Sequence, residues 1–183
     1  MHSRSLIEVA RIKQVAIYFH WSVFLISALI LIESFQRPVP TLVALASYLA
    51  ILVIHESGHL IAARRQGCEP IAMEIFPLHG LAVSHSSGWQ WDEAMITWGG
   101  VTAQALVGLP LTLWVSIFGL TRFDAINASL AILGPFNLFL AAINLLPIGK
   151  LDGAKAWKSL PMILERKGFR SRGKPRPTYR SPR

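Results

Sequence analysis

Apolar residues run through this sequence in four long stretches, at 15–32, 41–63, 94–120 and 125–146, with polar residues gathered in the links between them. A hydrocarbon core about 30 Å thick is crossed by ~20 helical residues rising 1.5 Å each, so every stretch spans it or nearly does. The pattern predicts an all-α polytopic membrane protein with about four transmembrane helices. Pro38 and Pro40 make the first link a short turn, and the third, around 121–124, is shorter still. The second link is longer. Within it, residues 71–83 (IAMEIFPLHGLAV) alternate around Pro77 and Gly80, which reads as a short β-hairpin or membrane-edge loop between helices 2 and 3.

Composition strengthens the membrane reading. Hydrophobic residues make up 52% of the 183 residues and charged residues 15%, with a mean hydropathy of +0.44, too apolar for a soluble domain. The single cysteine, Cys68, excludes an intramolecular disulfide. Residues 1–165 read as one membrane-embedded domain. Residues 166–183, rich in Lys, Arg, Pro and Ser, read as a basic tail, disordered or lying on anionic lipid head groups. The first stretch follows Arg4, Arg11 and Lys13 as a signal peptide would, but it is too long and lacks a small-x-small cleavage site.

The net charge of +8 raises nucleic acid as a partner, yet the basic residues gather from Lys150 onward and are not interleaved with aromatics. The bilayer accounts for them and no nucleic acid is expected. With the N-terminus inside, sixteen of the eighteen Lys and Arg fall on the inner side and only Arg37 and Arg122 outside. That asymmetry predicts cytoplasmic N- and C-termini, and hence an even number of spans.

Chemistry enters in the second stretch, as His55, Glu56 and His59 in the pattern H-E-x-x-H. On a helix, residues four apart share a face, so both imidazoles can meet one Zn²⁺ while Glu56 acts as general base toward a reacting water. Two surface histidines would be the bland alternative in a soluble helix. Inside a bilayer, an ionised side chain at mid-span costs on the order of 2.5 to 3.5 kcal/mol, so an unpartnered Glu56 is not sustained without function. Catalytic zinc takes a third protein ligand. Asp152, following Pro147 and Gly149 at the end of the fourth stretch, is the candidate, although alone it reads as an Asp-Gly turn past a helix. His55 lies fourteen residues beyond Thr41, about 21 Å down the span, toward the cytoplasmic side where the fourth stretch also ends.

These motifs together resemble the site-2 protease family of intramembrane zinc metalloproteases: H-E-x-x-H in one helix, then Asn144, Pro147 and Leu151-Asp152-Gly153 at the end of a later one. The likeness covers roughly residues 41–156. It implies that Asp152 is the third zinc ligand and that Asn144 lines the cleft against the substrate backbone or the oxyanion. It further implies hydrolysis of peptide bonds within or near transmembrane segments of a membrane-protein substrate. Such a segment must locally unwind, because a helical peptide bond is shielded from attack, and the 71–83 hairpin is the edge on which we expect it to pair. Where the family often has a second glycine after L-D-G, this chain has Ala154. No PDZ-like or other sensor domain is visible in the 183 residues. A catalytically silent helix-binding scaffold and a metal or proton transporter are the competing classes. The intact Glu56 argues against the first, and the clustering of ionisable groups at one depth against the second.

Gln104, about 15 Å into the third stretch, is a further candidate for the cleft, with hydrogen bonding between helices the commoner role for such an amide. Gly99, Gly100 and Ala103 make a small face for close packing, and Gly134 and Pro135 are expected to bend the fourth span. Asn137 suits either packing or the cleft. His20, beside Trp21, reads as an interfacial anchor rather than a ligand, His79 and His85 as solvent-exposed or interfacial, and the tryptophans as an aromatic belt.

Overall fold

The computed structural model describes residues 6–12, 15–32, 36–77, 80–84, 90–148 and 151–168. It opens with strands β1 (Leu6–Ile12) and β2 (Val15–His20), followed by helices α1 (Trp21–Ile32) and α2 (Pro38–Arg65). Strands β3 (Pro70–Ile75) and β4 (Gly80–Ser84) precede α3 (Gln90–Phe118) and α4 (Asp124–Ala131). A single π-helical turn at Ile132–Phe136 joins α4 to α5 (Asn137–Asn144), and α6 (Gly153–Gly168) ends the described chain.

Three helical segments are long and apolar enough to cross a membrane: Pro38–Arg65, Trp91–Phe118 and Asp124–Asn144. The expected fourth span is corrected. Val15–His20, the first third of that apolar stretch, is a strand, leaving a 12-residue helix of about 18 Å, short of a bilayer core. An even number of spans therefore has no fourth long helix to rest on among the described residues. Nor is the chain all-α, because the four strands form one sheet in the order β1-β2-β3-β4. The hairpin expected between helices 2 and 3 is present as antiparallel β3 and β4. Its unforeseen half is β1 and β2, antiparallel to each other, with β2 parallel to β3 in the register Ala16 to Ala72 through Phe19 to Ile75. Parallel neighbours need a long crossover. Here α1 and α2 supply it.

Val15, Val23, Tyr48, Leu52, Leu60, Met73 and Ile75 form a buried cluster that fixes the sheet against α1 and α2. The Tyr48 hydroxyl donates to the Pro77 carbonyl at 2.8 Å, tying the end of β3 to α2. On its other side α2 meets α3 through Gly58 and Ala62 against Gly99 and Ala103. A Cβ on Gly58 would lie 2.7 Å from that of Ala103, and one on Gly99 would lie 2.9 Å from that of Ala62. Small residues four apart on both helices thus bring the backbones together, as interhelical packing without a hydrophobic driving force requires. The expected bend in the last span coincides with the π turn, which carries Gly134 and Pro135. Past it, Asn137, Leu140, Ala141 and Asn144 make the buried face of α5.

Candidate metal centre

Helix α2 sets His55 and His59 one turn apart, with their Nε2 atoms 3.0 Å from each other and the rings edge to face. Asp152 arrives from elsewhere in the chain. After α5 ends at Asn144, the chain doubles back and Asp152 starts α6, its carbonyl accepting from the amides of Lys155 (2.9 Å) and Ala156 (2.8 Å). Two contacts hold that return. Trp157 Nε1–H donates to the Leu145 carbonyl at 2.6 Å. Gly153 lies so close to the backbone of Leu145 and Leu146 that a Cβ there would collide with both. The glycine after Asp152 therefore has a steric cause, and its consequence is that Asp152 Oδ2 sits 3.0 Å from each imidazole Nε2.

Protonation decides what this triangle means. His59 Nδ1 faces the Ile96 carbonyl at 2.7 Å, a group that only accepts, so Nδ1 carries a proton and, in the neutral ring, Nε2 keeps the lone pair. His55 Nδ1 donates in the same way to Gln104 Oε1 at 2.8 Å. With both rings neutral, two imidazole lone pairs and a carboxylate oxygen converge on one point, where they repel unless a proton or a metal cation lies between them. Tetrahedral zinc with bonds of about 2.0–2.2 Å places its ligand atoms ~3.3–3.5 Å apart, close to the three 3.0 Å edges found here. The donor set, two neutral imidazoles and one carboxylate with the outer ring nitrogens tied down, fits zinc.

Glu56 stands beside the triangle rather than in it. It is 1% exposed, its Oε1 is 3.8 Å from His55 Nε2, and its Oε2 has no hydrogen-bond partner. A cavity of about 10 Å³, room for one water, is lined by Ile51, His55, Glu56, Phe76, Gln104 and Asn144 among others. Asn144 is buried with its Oδ1 unpartnered. One carboxylate oxygen and one amide oxygen, neither of them hydrogen-bonded, thus belong to residues that border the same cavity.

The structure brings His55, His59 and Asp152 together, with Glu56, Asn144 and Gln104 around them, and Gln104 both lines the cavity and packs between helices. Its amide oxygen is engaged by His55, and its backbone carbonyl accepts from Asn137 Nδ2 at 3.0 Å. His20 is outside the cluster: its Nδ1 accepts from the Ser22 amide at the start of α1, and its ring stacks on Phe76. His79 and His85 lie outside the described residues, as does the chain beyond Gly168.

No protein-family model matches the chain. Among solved structures it resembles the site-2 protease from Methanocaldococcus jannaschii, with a TM-score of 0.67 and 22% identity over 88% of this chain and 73% of that one. The chain has the site-2 protease fold. The resemblance read from H-E-x-x-H and L-D-G is thereby borne out. Among curated proteins it is 29% identical over 154 residues to one from Synechocystis sp. whose name describes it as a candidate zinc metalloprotease. That match takes in 84% of this chain but 36% of the relative, so the chain spans little more than a third of its length.

Within this site-2 protease fold, sequence reasoning missed three contributors. Gly100, read as helix packing, faces the imidazoles: a Cβ there would lie 2.6 Å from His55 Cε1 and 2.8 Å from His55 Nε2, and nearer still to His59 Nε2. The Ile96 carbonyl belongs to the backbone and leaves no trace in side-chain pattern. Trp157, counted in the aromatic belt, clamps the return that carries Asp152.

Proposed function

We propose that this chain is an intramembrane zinc metalloprotease that cleaves peptide bonds within or near transmembrane segments of membrane proteins. The observation that carries the reading is the convergence of two imidazole Nε2 atoms and the Asp152 carboxylate beside a Glu56 carboxylate whose Oε2 has no hydrogen-bond partner. His55, His59 and Asp152 would hold zinc. When bound, zinc supplies Lewis acidity, polarising a carbonyl and lowering the pKa of water toward about 7. Glu56 takes the proton of the attacking water and returns it to the leaving amine, which its unengaged Oε2 leaves it free to do. Asn144 lines the cavity with its Oδ1 unpartnered, which supports a role against the substrate backbone.

The site sits on apolar helices, so the substrate is a membrane segment that must give up its helical hydrogen bonds before its carbonyl can be attacked, and the freed groups need partners. The sheet order leaves β4 at an edge, and β3 ends at Ile75, which with Phe76 lines the cavity. A substrate strand pairing on β4 would therefore run beside the site. Proline substitutions at alternate positions along β4 should cut cleavage about tenfold or more on the register that faces the substrate, and no loss on either register would end this pairing scheme.

The test of the function itself is metal dependence. Purified chain in detergent or bilayer should hold about one zinc, lose cleavage of a membrane-segment substrate on chelation, and regain it with zinc. Full activity after the metal is stripped would overturn the reading.

A further inference from the structure

The two imidazoles are held by unlike partners. His59 leans on a backbone carbonyl, fixed by the α3 helix, whereas His55 leans on one side chain, Gln104. Resting on the zinc reading above, we infer that Gln104 is a positioning residue: it sets the tautomer and ring orientation of His55, and through them the affinity for zinc.

Three observations support this. Gln104 is 1% exposed and its Oε1 lies 2.8 Å from His55 Nδ1, so the contact is short and shielded from bulk solvent. The amide is amphoteric: with its oxygen toward the ring, His55 carries its proton on Nδ1 and keeps an Nε2 lone pair for metal, while the reverse orientation would put the proton on Nε2 and block ligation. Its backbone is also anchored, since Asn137 Nδ2 bridges the Gln104 carbonyl and the Leu133 carbonyl, 3.0 and 3.2 Å away. Asn137 is fully buried, and Leu133 belongs to the π turn. The π turn, Asn137, Gln104 and His55 form one continuous chain of contacts from the bend in the last span to the metal ligand.

The direct test is zinc affinity, measured by competition with a chromophoric chelator on the intact chain in detergent. Gln104→Met keeps length and volume and removes the acceptor, so it should weaken zinc binding about 10- to 100-fold, whereas Gln104→Glu, which restores an acceptor, should recover wild-type affinity or better. Wild-type affinity in Gln104→Met, or an equal loss in both variants, overturns the inference. Should Gln104→Met not fold, ¹⁵N-histidine spectra of the wild-type chain decide: zinc should produce two Nε2-ligated rings protonated at Nδ1, and only one such ring would overturn it. A wild-type chain that binds no zinc fails the metalloprotease reading instead, so the two failures are told apart before any variant is made.

Discussion

Glu56→Gln should reduce cleavage about 10²- to 10⁴-fold while leaving zinc content unchanged. The separation of the two effects follows from placement. Glu56 Oε1 is 3.8 Å from His55 Nε2 and Glu56 is not one of the three converging ligands, so the amide leaves the metal triangle intact. The substitution also preserves shape. What it removes is a carboxylate buried with an oxygen that no hydrogen bond satisfies, an arrangement that opposes folding. Thermal stability should therefore hold or rise as activity disappears. A neutral group that stabilises the fold while abolishing function is the mark of a residue retained for chemistry. Cleavage within tenfold of wild type would remove Glu56 from the mechanism.

The same residue shows how far the sequence reaches. His55, Glu56 and His59 are legible because helical spacing turns a one-dimensional pattern into a shared face, and because an ionisable group in an apolar stretch has few uses besides function. Asp152 is legible as a candidate, from the need for a third ligand and the level at which the fourth stretch ends, and the family resemblance makes it the ligand; what brings it to the imidazoles is the return after Asn144 and the absence of a Cβ at Gly153, neither of which periodicity records. The misread first span has a plain cause. Hydropathy adds residues without regard to geometry, and Val15–His20 is apolar for the sake of a sheet whose other strands lie up to sixty residues away. Helix α6 escaped because it runs through Pro161, which in sequence reads as a helix breaker, and because Lys155 and Lys158 break its apolar pattern. Asp152 lies immediately before its first turn. The polar residues that hold the site, Gln104 and Asn137, were visible as anomalies in apolar helices, but which helix each faced depended on the close crossing at Gly58 and Gly99.

Gly100→Ala should cost more zinc affinity than loss of an outer hydrogen bond does, that is, beyond about 100-fold, in a chain that still folds. The added methyl would occupy the space of the imidazoles, 2.6 Å from His55 Cε1 and 2.8 Å from its Nε2, with His59 Nε2 closer yet. Neither ring can retreat without cost. Each is tethered at Nδ1, one to Gln104 and one to the Ile96 carbonyl, so moving a ring breaks a buried hydrogen bond as well as the metal triangle. The helix itself gains from the change, because alanine is about 1 kcal/mol better than glycine in a helix interior. Secondary structure and expression should hold while zinc binding fails, a dissociation that general misfolding does not produce. Leu106→Ala is the control on the same helix. That side chain is 71% exposed, away from the imidazoles, and its loss should leave zinc affinity within about threefold of wild type, as is usual for independent sites. Equal zinc binding by the Gly100 and Leu106 variants would mean that the imidazoles do not face α3 as described, and the site would have to be rebuilt from other neighbours.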